Sequence, residues 1–270
     1  MRKDGRRSAP SPLEQTDSPH PAAQTRTTLV SVGLVLLSAL LFALAHPNPL
    51  NQWGFWPLAF VALTPLFVAL RGVGFLRSLL FGALYGFASY ALYNYWLATF
   101  HPLALIIVPI VYAAYFLVLF PLLRLADRWF PRYGYLVQIA LWVAYEYLKS
   151  VGFLGYSFGT LGYTQYLWPA FIRGAAVTGV WGLSLLVVTT SALLARLAIE
   201  YRLAVRGAGR GAVAAKWRPV LSAFVRGQRL PLAVFAGLFA LNLVYGLASQ
   251  RDYTDARQWR VALVQQNIDP

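Results

Sequence analysis

Along the chain, long apolar stretches alternate with short turns marked by proline or arginine. Seven of them meet or approach the ~20 residues needed to cross a hydrocarbon layer of about 30 Å: residues 28–45, 55–70, 79–100, 103–126, 133–149, 175–199 and 230–248. The pattern predicts an all-α polytopic membrane bundle of about seven transmembrane helices, filling residues 28–249. The second stretch is short, with Pro57 at its start and Pro65 inside. Proline is harmless in a first helical turn, but an internal one removes a backbone donor, so a kink is expected at Pro65. The fourth stretch carries Pro109 and Pro121 and is expected to bend. One connection is different: residues 152–173 form a long, weakly charged segment with Gly at 152, 155, 159 and 162 and Tyr or Phe at 153, 156, 158, 163 and 166. It reads as a loop folded back on the membrane surface.

The charges test the helix list independently. With the N-terminus in the cytoplasm, the four inside segments hold five, two, three and eight Lys or Arg, 18 of the 23 in the chain. The outside ends hold Lys149, Arg173, Arg251, Arg257 and Arg260. This is the positive-inside distribution. It makes the net charge of +14 a topological signal, suited to anionic headgroups and not to nucleic acid. The same topology puts residues 152–173 and the C-terminus in the periplasm of a bacterial inner membrane.

Residues 1–27 are basic, polar and without apolar periodicity, as expected of a disordered cytoplasmic tail. The tail is too long for a signal-peptide n-region, so residues 28–45 are read as a retained helix. Residues 208–229 alternate basic residues with Ala and Val, and fit either an amphipathic surface helix or a solvated basic loop.

Candidate chemistry is sparse. No cysteine is present, which excludes disulfides and a cysteine nucleophile within these 270 residues. The three histidines (His20, His46 and His101) stand far apart without nearby carboxylates, so neither a metal site nor a cofactor is expected. Glu146 is the one acid deep in an apolar stretch, a costly placement that marks functional candidates. It could instead pair with Lys149 three residues on, or brace the following loop. Tyr163, Thr164 and Gln165 could line an entry for a lipid headgroup or an amine, or belong with Tyr166 and Trp168 to an interfacial aromatic belt. Tyr90, Tyr93, Asn94, Tyr95 and Trp96 cluster near the outer end of the third helix, where Asn94 needs a partner. Gly82 and Gly86 are spaced for close helix packing.

After the last apolar stretch, residues 260–266 form a β-branched run typical of a buried strand. A lone strand lacks partners for its edges and faces, so residues 250–270 are read as a linker and the first strand of an incomplete domain.

Three patches resemble the apolipoprotein N-acyltransferase family, membrane enzymes of the carbon–nitrogen hydrolase (nitrilase) superfamily. Val261–Ile268 (VALVQQNI) is similar to the opening strand of the family's nitrilase-like domain. Trp142 and Glu146 followed by Gly162-Tyr-Thr-Gln165 are similar to its W-x-x-x-E … G-Y-S-Q pattern. Thr178–Ser184 (TGVWGLS) is similar to the T-G-V-x-G-x-S that opens its sixth membrane helix. Ser157-Phe158 departs from the Pro-Trp usual at that point.

The resemblance implies transfer of an acyl chain from a phospholipid donor to the N-terminal diacylglyceryl-cysteine of a lipoprotein acceptor, through a cysteine thioester. In that chemistry a thiolate attacks the ester, a glutamate moves the proton and a lysine steadies the oxyanion. The family's Glu–Lys–Cys triad belongs to the nitrilase-like catalytic domain, beyond Pro270. No catalytic residue is therefore expected here, and the chain alone is expected to be inactive. A split enzyme with a separate catalytic chain, or a non-enzymatic transporter or scaffold, are the alternatives. The single intramembrane acid and the lack of paired broken helices weigh against a transporter.

Overall fold

The computed structural model describes residues 21–152, 155–207 and 217–251, with the isolated positions 257 and 262. The basic tail up to residue 20, and nearly all of the stretch 250–270 with its expected strand, lie outside the described residues. Among the described residues the protein is helical, with no strand.

Five helices are long and apolar enough to cross a membrane: α1 (Pro21–Ala45), α4 (Phe75–Tyr93), α5 (Ala104–Trp129), α8 (Ala175–Gly207) and α10 (Arg229–Ala248). Together with the family relationship reported below, they make this a multi-pass membrane protein. The other two apolar stretches form shorter helical units. Residues 56–70 are broken into a 3₁₀ turn, α2 (Ala59–Ala62) and α3 (Thr64–Leu70). The break falls at Leu63, just before Pro65, and Ser191 of α8 compensates for it. Its hydroxyl donates to the Phe60 carbonyl at 2.8 Å and accepts the Leu63 N–H at 3.3 Å, while Thr64 Oγ1 donates to the Ser191 carbonyl. The fifth stretch becomes α6 (Gly134–Ser150), only 17 residues long and interrupted in its apolar character by buried Gln138, Glu146 and Lys149. In contrast to the break at Pro65, α5 runs as one helix through both Pro109 and Pro121.

The most extensive packing joins α4 to α5. A Cβ on Gly82 would sit 2.3 Å from the Phe116 carbonyl oxygen, and one on Gly86 2.7 Å from Ala113 Cα. The two glycines let the backbones approach as the small-residue spacing predicts. Tyr85, Phe116, Phe120 and Trp142 fill the centre, with ring centroids 5.1–6.0 Å apart in mostly edge-on or tilted contacts.

The bundle has two chemically different ends. At one, Arg71 pairs with Asp127, Arg124 donates to the Val73 carbonyl, and Arg196 reaches Glu200 and the Pro131 carbonyl. Here α9 (Trp217–Gly227) lies against the bundle, burying Phe224 and turning Arg218 and Arg226 outward. Of the two readings of residues 208–229, the amphipathic helix holds for this portion. The other end carries the loop that follows α6. There α10 is held by the short α7 (Pro169–Ile172): a Cβ on Gly246 would collide with the Ala170 carbonyl, Asn242 donates to the Phe171 carbonyl at 3.0 Å, and Arg173 donates to that of Gly246.

Candidate functional site: the loop after α6

Trp142, Glu146 and Lys149 follow at helical spacing on one face of α6, and all three are buried. Glu146 and Lys149 form no ion pair with each other; each is turned to the loop. Glu146 Oε1 accepts the indole N–H of Trp142 at 3.1 Å and the backbone N–H of Leu161 at 3.0 Å. Lys149 Nζ donates to the Phe158 carbonyl and lies 5.8 Å from the centre of the Tyr90 ring. The carboxylate and the ammonium thus each hold a different point of the same loop.

The far side of the loop is fixed by backbone contact with α8. Gly179, at φ 64° and ψ −178°, breaks α8 near its start, a conformation favourable only for glycine. The turn that follows brings Ser184 Oγ to accept the Gly162 N–H at 2.9 Å. Gly162 also fits there because a Cβ would stand 2.6 Å from the Val180 carbonyl oxygen. Residues 161–167 then wind into a 3₁₀ helix. Thr164 Oγ1 donates to the Leu161 carbonyl, and Gln165 Nε2 reaches the Trp56 carbonyl at 3.2 Å and Thr164 Oγ1 at 2.7 Å. Tyr166 Oη donates to the Trp53 carbonyl at 3.0 Å.

At the start of the loop, Tyr156 donates through its phenol to Asn94 Oδ1 at 2.6 Å. Asn94 thereby finds its partner in the loop and not in a neighbouring helix. Tyr112 stacks on Tyr90 at 4.3 Å and meets Tyr156 at a tilt at 5.1 Å, and Tyr90 and Tyr145 share a hydroxyl hydrogen bond of 3.0 Å. Burial, with Tyr93 and Tyr112 adding to it, holds the Tyr156 phenol above its ordinary range, so it stays protonated and donates.

Above this packed layer lies an open cleft of about 410 Å³, lined by His46, Tyr93, Phe158, Tyr163, Thr164 and Tyr166 among others. Of the four residues singled out in the sequence, Glu146, Thr164 and Gln165 are buried and hold the loop, while Tyr163 is half-exposed on the cleft wall. His46 carries no sequence signal beyond its isolation. It is buried, donates Nδ1–H to the Phe42 carbonyl at 2.8 Å, and leaves Nε2 without a partner. Burial pushes it down to about 4, a neutral imidazole at pH 7. Asn94 Nδ2, Glu146 Oε2 and Gln165 Oε1 are likewise buried and unpartnered, so unused polar capacity collects around the loop. Ser184, inside the Thr178–Ser184 motif, is the contact that the motif alone does not disclose.

The Apolipoprotein N-acyltransferase N-terminal domain family matches residues 38–193, which take in α6, the loop and the opening of α8. The chain belongs to the apolipoprotein N-acyltransferase family. Apolipoprotein N-acyltransferase 1 of Treponema denticola is 40% identical over 237 residues, covering 88% of this chain and 41% of that protein. Apolipoprotein N-acyltransferase 1 of Treponema pallidum is 39% identical over 163 residues, covering 60% and 30%. The apolipoprotein N-acyltransferase of Geobacter metallireducens is 30% identical over 247 residues, covering 87% and 43%. The chain therefore spans less than half the length of these curated relatives.

Proposed function

We propose that this chain is the membrane part of an apolipoprotein N-acyltransferase, which moves an acyl chain from phospholipid to the N-terminal diacylglyceryl-cysteine of lipoproteins. The observation that carries the reading is the family match across residues 38–193, the stretch that contains the loop held by Glu146, Lys149 and Ser184. In this reading residues 28–249 cross the inner membrane seven times, the basic end faces the cytoplasm, and the loop and C-terminus face the periplasm. Residues 250–270 lead into the nitrilase-like domain that supplies the thiolate.

The chain's own residues bind and position. The cleft offers aromatic walls, from Tyr93, Phe158 and Tyr163, beside the hydroxyl-bearing Thr164. Such a surface suits an amphipathic group at the membrane boundary, a lipid headgroup or the acceptor's amine-bearing end. Glu146 and Lys149 act beneath it as positioning residues.

The test is acyl transfer by the protein encoded by the whole reading frame, in detergent with phospholipid and a synthetic diacylglyceryl lipopeptide. Mass spectrometry should show one acyl chain gained at the lipopeptide amine and one lost from the phospholipid. A folded protein that leaves the lipopeptide unchanged overturns the proposal.

A further inference from the structure

At the basic end, α1, α3 and α8 part around a cavity of about 310 Å³. Val30 and Leu34 of α1, Val68 of α3 and Leu203 of α8 give it aliphatic walls, interrupted by the hydroxyl-bearing Thr27 and Ser31, and the exposed Arg202 and Arg206 border it. The two arginines are four residues apart on α8, so they share a face. Arg71 also borders the cavity, but its guanidinium is engaged by Asp127.

The charge balance at this rim is one-sided among the described residues. Among the described residues the carboxylates are Asp127, Glu146 and Glu200. Asp127 pairs with Arg71, Glu200 pairs with Arg196, and Glu146 lies under the loop at the opposite end. No described carboxylate pairs with Arg202 or Arg206. Two cations above an aliphatic slot complement a phosphate that carries hydrocarbon chains. A free anion would leave the aliphatic walls unused.

We propose that this cavity binds an anionic glycerophospholipid of the leaflet at the basic end, with its phosphate between Arg202 and Arg206 and an acyl chain against Val30, Leu34 and Val68. The site is separate from the loop-end cleft and does not depend on the acyl-transfer reading. A lipid seated there would bridge the start of α1 and the end of α8.

Native mass spectrometry of the protein encoded by the whole reading frame, released from detergent with phosphatidylglycerol or phosphatidylcholine added, tests this directly. Phosphatidylglycerol should be retained in preference, and Arg202→Gln/Arg206→Gln should weaken its retention roughly thirtyfold, the loss expected from two headgroup-facing arginines. Val30→Trp, which fills the slot and leaves both arginines, should also abolish retention while circular dichroism and elution volume stay unchanged. Equal retention of the two lipids overturns the proposal, as does undiminished phosphatidylglycerol binding by either folded variant. Uptake of inorganic phosphate at millimolar concentration without lipid retention would make this an anion site and would overturn it too.

Discussion

Glu146 Oε1 accepts the backbone N–H of Leu161 at 3.0 Å, joining the C-terminal part of α6 to the loop that follows it. Three residues on, Lys149 is buried with no carboxylate in direct contact, and the two side chains act on one another electrostatically while holding separate loop atoms. Removing the Glu146 carboxylate leaves the Trp142 indole N–H and the Leu161 N–H buried without an acceptor, at a cost of about 1–3 kcal/mol for each. Glu146→Ala should therefore lower the unfolding midpoint in detergent sharply and expose residues 152–160 to protease. Glu146→Ala/Lys149→Met should be markedly less damaging than the sum of the single changes. Strict additivity would mean that the two groups do not share an environment.

Gly162 makes a sharper steric prediction. Its Cβ would meet the Val180 carbonyl oxygen at 2.6 Å and Ser184 Oγ at 3.0 Å, both fixed by α8. Gly162→Ala should cost about 1–3 kcal/mol, the range for overpacking. Gly33→Ala, in α1 with nothing within 4 Å of the new Cβ, should be neutral or stabilising by up to about 1 kcal/mol. Paired thermal melts decide, and equal effects at the two positions would count against the close loop–α8 contact.

How far the sequence discloses this arrangement depends on the range of the interaction. Hydropathy is local, so the apolar stretches are visible, and Pro65 announces the break at Leu63. The Gly82 and Gly86 spacing likewise announces the α4–α5 contact. The fate of α6 is harder to read, because Glu146 and Lys149 at i and i+3 suggest a pair on one helix face. What turns them apart is a loop whose fold depends on Gly179 and Ser184, about thirty residues downstream. Pro109 and Pro121, unlike Pro65, do not divide their helix, and nothing in the local sequence separates the two cases. His46 becomes notable only once Tyr93, Phe158 and Thr164 stand beside it.

Tyr163 and Gln165 are two residues apart yet should behave oppositely. Tyr163 is 47% exposed and its phenol makes no hydrogen bond among the described residues, whereas Gln165 is fully buried and donates to the Trp56 carbonyl. Gln165→Ala should destabilise by about 1–3 kcal/mol through the lost partner. Tyr163→Ala should leave the melt unchanged and, if the cleft receives substrate, raise KM for phospholipid or lipopeptide in the complete enzyme several-fold. A Tyr163→Ala enzyme with unaltered KM for both would place substrate elsewhere.

His46 supplies a pH dependence whose direction follows from its burial. Held at about 4 in the folded protein, against an ordinary value of about 6.5, it takes up its proton later than the same imidazole in the unfolded chain. Stability from this group is therefore complete above pH 6.5 and is lost as the pH falls towards 4. The loss amounts to about 2 kcal/mol by pH 5. The hydrogen bond that Nδ1 donates to the Phe42 carbonyl offsets burial only in part, and Lys149 nearby opposes a second positive charge. Unfolding midpoints in detergent should drop further between pH 7.5 and 5.0 for the wild-type chain than for His46→Gln, which has nothing to titrate at this position. An identical drop in the two proteins would show that His46 is hydrated or charged in the folded state, and the cleft would then be open to water down to its floor.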